Sequence, residues 1–445
     1  MTASEYYEKA LDYLEADQVD RAAAALRVAV ELDPSHLEAH VELGHVLDAI
    51  GDLEGAREAF ERAAELDPAD PDVQMGAARV LFDLNKPLMA LVRARRAAQL
   101  SPYSAEAHAL VAGMLVETEQ AEEALAVARN IRGLDSTSPE GPRLEGRALL
   151  ELGRGEEAAG HLRQAVMLAP DDSVPAADLA DCMAALGDVA DAERQYRRSL
   201  DLNADAANVW FNLATLLHRQ ERHGEALEAF GQVVRLDPGD AQAWAWKGSC
   251  HRALGEYSAA RECSRNAVEQ DGKLLDGWLL WASCCAEEGK TEEALEATRK
   301  AAEAHPASPF PALYESEIHH RLGHSENALR AADKALKLDE AFAPAHRLRG
   351  EVLAGSKRWN EAIASYRRAR ELEPGDHETH QLLIAGLVRA HRFREAWRES
   401  RLLARESPAD AAQLRRISAR ALLLGGAVAV AGGTLVYMLL HYLPW

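Results

Sequence analysis

The sequence predicts an all-helical solenoid, and three observations lead to this fold class. The tetrapeptide Glu-Leu-Asp-Pro at residues 31–34 returns at residues 65–68, and weaker copies keep the same 34-residue period almost to the C-terminus. Between these points apolar residues recur at helical spacing, and alanine occupies one fixed position of every period. Such self-similarity is typical of stacked repeats that each bury an apolar side against their neighbours.

The period is marked by residues that stop a helix or favour a turn. Steps of 34 residues reach twelve marked positions without an insertion or deletion: Pro34, Pro68, Pro102, Ser136, Pro170, Ala204, Pro238, Gly272, Pro306, Glu340, Pro374 and Pro408. The predicted repeats are residues 3–36, 37–70, 71–104, 105–138, 139–172, 173–206, 207–240, 241–274, 275–308, 309–342, 343–376 and 377–410. A single continuous array over residues 3–410 is the simplest domain organisation.

Each period is expected to contain two amphipathic helices. Counted from Ala3, positions 4, 7, 8 and 11 carry an apolar or small stripe, and positions 20, 24 and 27 carry a second one. In the second repeat the two stripes are His40, Leu43, Gly44 and Leu47, then Ala56, Phe60 and Ala63, with Gly51-Asp52 as the turn. Position 20 is alanine in all twelve repeats and position 8 is small in every repeat but the twelfth, which has Ile384, so we expect the paired helices to approach closely there.

At these positions the chain resembles the tetratricopeptide repeat (TPR) family over residues 3–410. The resemblance implies a right-handed superhelical solenoid of helix-turn-helix repeats. Position 4, where the family has tryptophan, departs from the pattern in several repeats: it is Trp210, Trp244 and Trp278, but His40, His108, His346 and His380 elsewhere. Such departures are expected to weaken individual repeats. Gly141-Pro142, at the start of the fifth repeat, is the expected position of any hinge.

The resemblance also implies a binding surface. In this family the first helices line a concave groove that holds peptide segments, mostly through positions 2, 5, 9 and 12. The candidate groove residues carried over to this chain are Tyr7, Val41, Met75, Arg143, Phe211, Asn212, Leu279, Leu313 and Arg347. Phe211, Leu279 and Leu313 are the expected anchors for a hydrophobic ligand, and packing between first helices is the competing role.

Two specialisations of the family do not fit. Capture of a chaperone tail needs asparagine at position 9, which no repeat has, and the asparagine ladder of the glycosyltransferase-linked solenoids needs asparagine at position 6, which only Asn212 supplies. No phosphate-binding glycine loop or GxSxG motif is present, and His377 and His380 are one residue too close for an HExxH zinc motif. We therefore expect a protein that is not an enzyme and has no cofactor or bound metal.

The C-terminal region predicts a membrane anchor. Residues 421–445 contain no Asp, Glu, Lys or Arg, and the predicted anchor, residues 421–441, is long enough to cross a bilayer; a buried terminal helix is the alternative. Residues 411–420 are expected to form a capping helix and a basic collar. The collar residues are Arg415, Arg416 and Arg420, and the small residues that would allow the anchor to pair with itself are Gly425, Ala429 and Gly433.

The flanking charges predict orientation and exclude one class of partner. Basic residues precede the anchor and none follows it, so the repeats are expected in the cytoplasm, at a bacterial inner membrane or alternatively an organelle outer membrane. The formal net charge is −22, and residues 1–342 alone carry −28. Such an acidic surface repels nucleic acid.

Together these features favour a tail-anchored, membrane-bound scaffold that binds protein partners in the groove of its repeats. A targeting receptor or holdase for hydrophobic precursor proteins is the first alternative, and a regulatory subunit of a membrane enzyme complex is the second.

Removal of the C-terminal region tests the anchor. The full chain should stay with the membrane fraction after extraction at alkaline pH, whereas a chain ending at residue 412 should be released, because it lacks the apolar span. Fractionation followed by immunoblotting measures this. Retention of the shortened chain would contradict the anchor.

Overall fold

The computed structural model describes residues 1–406, which form 24 α-helices and no β-strand. The first helices of the pairs are α1 (Ala3–Glu15), α3 (Leu37–Ala49), α5 (Pro71–Asp83), α7 (Ala105–Glu117), α9 (Glu140–Glu151), α11 (Ser173–Leu186), α13 (Ala207–Arg219), α15 (Ala241–Ala253), α17 (Leu275–Glu287), α19 (Phe310–Arg321), α21 (Ala343–Gly355) and α23 (His377–Arg389). The second helices are α2 (Val19–Leu32), α4 (Leu53–Leu66), α6 (Pro87–Leu100), α8 (Ala121–Leu134), α10 (Gly155–Leu168), α12 (Val189–Leu202), α14 (His223–Leu236), α16 (Tyr257–Gln270), α18 (Thr291–Ala304), α20 (Ser325–Leu338), α22 (Trp359–Leu372) and α24 (Phe393–Glu406). Twelve pairs are what twelve repeats require.

The predicted capping segment and anchor lie outside the described residues. These comprise 411–420 with Arg415, Arg416 and Arg420, and 421–441 with Gly425, Ala429 and Gly433. Within residues 1–406, no helix combines the length and the apolar character needed to cross a bilayer.

The turn inside each pair has the same backbone geometry in every repeat. Position 15 lies in the left-handed region and is occupied by Asp17, Gly51, Asn85, Glu119, Gly153, Gly187, Glu221, Gly255, Gly289, Gly323, Lys357 and His391. The next residue donates its backbone N–H to the carbonyl five residues back, as Asp52 does to Leu47 at 2.9 Å. This bond satisfies a carbonyl that the end of the first helix would otherwise leave unpaired.

The two helices of a pair meet through small residues. The alanines at position 20 are all fully buried. In the second repeat the ring of Phe60 lies against Gly44, where a Cβ atom would come within 2.7 Å of the ring carbon Cε2. Tyr366 fills the corresponding space against Gly350. The aromatic residue at position 24 therefore requires a small residue at position 8 of the first helix.

The chain divides into two compact units, residues 1–216 and the residues from Leu217 onward. In each unit, a helix packs against the next helix in the chain. Neighbouring first helices also contact one another: α7 contacts α9, and α17 contacts α19. We call the side of these helices that carries positions 2, 5, 9 and 12 the first-helix face. Gly141-Pro142, the expected hinge, is buried at the start of α9, whereas the division between the units lies inside α13.

A pair of identical glycine substitutions tests the close approach of the helices. Gly44→Ala should lower the free energy of unfolding by about 1–3 kcal/mol, because its methyl group collides with Phe60. Gly160→Ala, also within a helix of the first unit, meets no atom within 4 Å and should raise stability by about 1 kcal/mol through helix propensity. Urea unfolding measures both. The same change in the free energy of unfolding for Gly44→Ala and Gly160→Ala would show that position 8 does not need to be small.

Candidate functional site

In six repeats within the described residues, the side chain at position 4 holds the first helix to the turn before it. The indole N–H of Trp210 donates to the Ala204 carbonyl at 2.9 Å, and that of Trp244 donates to the Pro238 carbonyl at 3.0 Å. A ring nitrogen of histidine makes the same contact, with His40 Nε2 lying 3.2 Å from the Pro34 carbonyl. Where it is present, this bond ties the first turn of the helix to the preceding turn.

One cavity opens on the first-helix face of the first unit. This N-terminal cavity has a volume of about 690 Å³ and lies between α3, α5, α7 and α9. Phe82, Leu110 and Met114 supply apolar surface, while Arg79 and Arg143 belong to a larger set of charged residues around it. It is the larger of the two cavities described here.

The arginines of the N-terminal cavity are already paired. Arg143 donates from Nη2 to Glu140 at 2.7 Å and from Nη1 to Asp178 at 3.0 Å, and its side chain is only 14% exposed. Arg147 donates to Glu117 at 2.5 Å, and Arg79 to Glu106 at 2.6 Å. An anionic ligand would have to displace these carboxylates, so the cavity is not an open anion receptor.

A carboxyl group in the same cavity is perturbed. Loss of surrounding water raises the pKa of Asp83, and the neighbouring carboxylate of Asp48 raises it further. Both groups line the cavity. A basic side chain placed between them would relieve this repulsion.

A second cavity opens on the first-helix face of the second unit. This C-terminal cavity has a volume of about 330 Å³ and lies between α15, α17 and α19. Trp246, Leu279, Phe310 and Tyr314 form its apolar wall, and burial raises the pKa of Tyr314. Pockets with an aromatic lining and a few polar groups are typical of ligand sites.

The aromatic wall is rigidly supported. The ring of Trp246 stacks on Phe230 with centroids 6.2 Å apart and meets the His218 ring edge-on at 5.3 Å. The Phe310 ring, which is 43% exposed, packs edge-on against Phe342 at 5.0 Å. Rings held in this way form the cavity before a ligand arrives.

The C-terminal cavity also has an available cation. Arg252, at its rim, is exposed and forms no ion pair with any carboxylate among the described residues. Gln242, Ser249 and Ser283 complete the polar lining. An apolar pocket beside a guanidinium that has no partner can receive an apolar side chain together with a carboxylate.

The predicted groove residues fall into different environments. Arg143 lines the N-terminal cavity and Leu279, 6% exposed, lines the C-terminal cavity. Neither cavity is lined by the remaining candidates: Tyr7, Val41, Met75, Phe211, Asn212, Leu313 and Arg347. Met75 packs with Ala97 and Ala107.

Two of the polar candidates are tied to neighbouring repeats. Arg347 donates to Glu378 at 2.5 Å. The Asn212 amide donates at 3.0 Å to Oδ1 of Asp181, which also accepts from the Tyr196 hydroxyl at 2.5 Å. Burial raises the pKa of Asp181 while these two hydrogen bonds counteract the rise. Asn212 therefore connects two successive repeats.

Comparison with known families agrees with this geometry. A family profile described as "Tetratricopeptide repeat" matches residues 7–71, 178–241 and 318–377. The chain contains tetratricopeptide repeats. A second profile, described as "Anaphase-promoting complex, cyclosome, subunit 3", matches residues 231–301.

Similar proteins match this chain over part of their length. Subunit 3 of the anaphase-promoting complex of Schizosaccharomyces pombe is 24% identical over 185 residues, which cover 42% of this chain and 28% of that protein. A probable UDP-N-acetylglucosamine--peptide N-acetylglucosaminyltransferase SPINDLY of Hordeum vulgare is 28% identical over 163 residues, covering 35% of this chain and 17% of that protein. The chain thus spans less than a third of either relative.

Solved structures show the same fold. The crystal structure of yeast Tom70 covers 99% of both chains with a TM-score of 0.51 and 15% sequence identity. At this identity the likeness shows the fold alone.

The TPR position numbers show what the sequence analysis missed. Phe310 and Arg252 occupy positions 2 and 12, which the family resemblance implies are groove positions, yet neither residue was among the predicted groove residues. Trp246 and Tyr314 occupy position 6. Aromatic residues at position 2 or 6 of the eighth and tenth repeats were the signal that would have indicated the C-terminal cavity.

The hydrogen bond between Tyr196 and Asp181 has a predictable pH dependence. Tyr196→Phe should lower the free energy of unfolding by about 1.5–3 kcal/mol at pH 7, where Asp181 is a charged acceptor. Loss of the hydroxyl raises the pKa of the folded-state carboxyl further, so the added loss of stability appears as pH rises through this pKa and is smaller at pH 4.

Urea unfolding at the two pH values measures the effect. Tyr366→Phe is the matched control, because this buried tyrosine forms no hydrogen bond through its hydroxyl among the described residues. A Tyr196→Phe cost that is the same at pH 4 and pH 7 would contradict a charged acceptor.

Proposed function

We propose that this protein is a non-catalytic scaffold that binds segments of protein partners on its first-helix face and recruits them to a membrane. The observation that carries the proposal is the C-terminal cavity, where an apolar wall adjoins Arg252, a cation without an ion-pair partner among the described residues. The preferred partner segment presents one large apolar side chain with an acidic residue or carboxylate beside it.

The size of the C-terminal cavity fits a single anchor side chain. Burial of one large apolar side chain contributes about 1.5–3 kcal/mol, and a hydrogen bond to a charged group contributes about 1.5–3 kcal/mol more. These two terms offset only part of the entropy lost on association. A partner must therefore make further contacts along the first-helix face, which is how a long repeat array gains affinity from several weak sites.

The N-terminal cavity offers a different kind of contact. Its arginines are neutralised by Glu106, Glu117, Glu140 and Asp178, so it favours a polar segment that hydrogen-bonds without bringing a net negative charge. Beside Asp48 and Asp83 a lysine or arginine of the partner gains a favourable position. We expect the two cavities to select different segments.

The membrane part of the proposal rests on the sequence. The uncharged span of residues 421–441, preceded by Arg415, Arg416 and Arg420, supports a C-terminal anchor with the repeats on the cytoplasmic side. A bacterial inner membrane is the favoured location. Self-pairing of the anchor through Gly425, Ala429 and Gly433 belongs to the same proposal.

A receptor or holdase for hydrophobic precursor proteins is the second candidate function, and the apolar wall of the C-terminal cavity favours it. The two functions differ in selectivity. A scaffold recognises a carboxylate of its partner as well as the apolar side chain, whereas a holdase binds any exposed apolar segment.

Selection from a library of random displayed peptides tests the proposal. The full chain should enrich peptides with an aromatic or large aliphatic residue next to Asp or Glu, and Arg252→Glu should weaken their binding at least tenfold, about 1.4 kcal/mol, because the charge is reversed. Fluorescence anisotropy of the enriched peptides gives the Kd.

Arg330→Glu is the matched control. Arg330 is an exposed arginine on α20 that donates to Asn327 and forms no ion pair among the residues described. Equal weakening by both substitutions would mean that only net charge matters. Enrichment of apolar peptides without acidic residues would favour the holdase.

A further inference from the structure

The outer face of α6 exposes three large apolar side chains. Leu88 and Val92 are each 67% exposed and Met89 is 57% exposed. Val92 lies four positions after Leu88 and three after Met89, and both spacings make side chains neighbours on a helix, so the three side chains form a continuous surface. We call these three residues the α6 patch.

The repeat fold does not require this patch. Leu88, Met89 and Val92 occupy positions 18, 19 and 22, and every other repeat has at least one acidic residue among these three positions. The ninth repeat has three: Glu292, Glu293 and Glu296. Because the same helix pair forms with charged residues there, the apolar side chains of α6 have no role in packing their own repeat. A contiguous exposed apolar surface of this kind is typical of an interaction site.

The charge around the patch is also unusual. No acidic residue occurs from Leu84 to Ala105, although the chain carries a net charge of −22. Of the basic residues in this stretch, Arg95 donates to both carboxylate oxygens of Glu123 at 2.8 Å, and Lys86 lies 3.6 Å from Glu54. Arg96 is exposed and forms no ion pair with the carboxylates that the structure describes.

Arg96 continues the line of the apolar residues along α6. Leu88, Val92 and Arg96 are spaced by four residues along one side of α6, and each step of four advances about 6 Å along the helix axis. The neighbouring second helices present acidic residues instead, Glu54 on α4 and Glu122 on α8. The complementary surface is therefore a narrow strip that runs lengthwise along α6.

We propose that the α6 patch binds an acidic amphipathic helix of a protein partner, laid along α6 so that its apolar residues cover Leu88, Met89 and Val92 and a carboxylate pairs with Arg96. This second docking surface lies on a second helix and does not rest on the first-helix face. A broad anionic membrane surface fits less well, because it would also meet the acidic residues of α4 and α8.

Two synthetic peptides probe the surface directly. One is an amphipathic helix with leucine on one face and glutamate on the other, and its partner has lysine in place of every glutamate. The full chain should bind the glutamate peptide, and binding should weaken as salt is raised because Arg96 contributes electrostatically. Fluorescence anisotropy with labelled peptides gives both Kd values.

Neutral substitutions separate the two parts of the strip. The triple variant L88Q/M89Q/V92Q should raise the Kd of the glutamate peptide at least tenfold, and Arg96→Gln should raise it about threefold to tenfold and reduce its salt dependence. The matched controls are M167Q/V174Q, two exposed apolar residues of the same unit, and Arg129→Gln, an exposed arginine on α8. The controls should leave binding unchanged, and Arg252→Glu should leave unchanged the part of the binding that the triple variant removes.

Several results would overturn the proposal. They are equal binding of the lysine peptide, a Kd that the triple variant does not change, or loss of glutamate-peptide binding in Arg252→Glu. Two further measurements use the triple variant against the wild-type chain. Patch-dependent binding to vesicles of anionic lipid without peptide binding would assign the surface to a membrane, and patch-dependent self-association in sedimentation would assign it to a second copy of the chain.

Discussion

The close approach of the two helices at the buried alanine of position 20 recurs in all twelve repeats and is the constraint on which the array depends. In six repeats within the described residues, a bond from the position 4 side chain to the carbonyl of the preceding turn also ties down the start of the first helix. It recurs with different chemistry, from the indole of Trp278 to Gly272 at 2.9 Å and from the ring of His346 to Glu340 at 3.0 Å. Each such bond contributes only about 0.5–1.5 kcal/mol, but it satisfies a turn carbonyl and sets the angle at which the next helix begins. Neighbouring first helices are in contact with or without this bond, as α9 and α11 are.

This packing gives the first helices and the second helices different kinds of exposed surface. The first helices contact one another, so their exposed positions combine across repeats, and the C-terminal cavity is made from three consecutive first helices. The outer face of a second helix is formed by that helix alone, so an exposed surface there comes from one helix, as the α6 patch does. The two described cavities therefore form between first helices, whereas an exposed apolar surface such as the α6 patch comes from a single second helix.

Much of the fold could be predicted because its rules are local. The period, the two helices and the burial of every position 20 alanine follow from residues within one repeat. The left-handed residue at position 15 was missed, because Glu119 and Lys357 stand where Gly51 made the turn visible. Histidine at position 4 was expected to weaken its repeat, yet His40 makes the bond that tryptophan makes. The relevant property is a ring nitrogen at that reach, which a pattern of residue names does not show.

The sequence by itself determined the repeat, its helices and the residues that must be small, because each of these depends on contacts within about 34 residues that recur in every copy. Only the tertiary structure decided which side chains are available to a partner. Arg143 and Asn212 are engaged by Asp178 and Asp181 of adjacent repeats, whereas Arg252 is not paired among the described residues. That difference depends on distances between side chains of separate repeats, which hydrophobic periodicity does not specify.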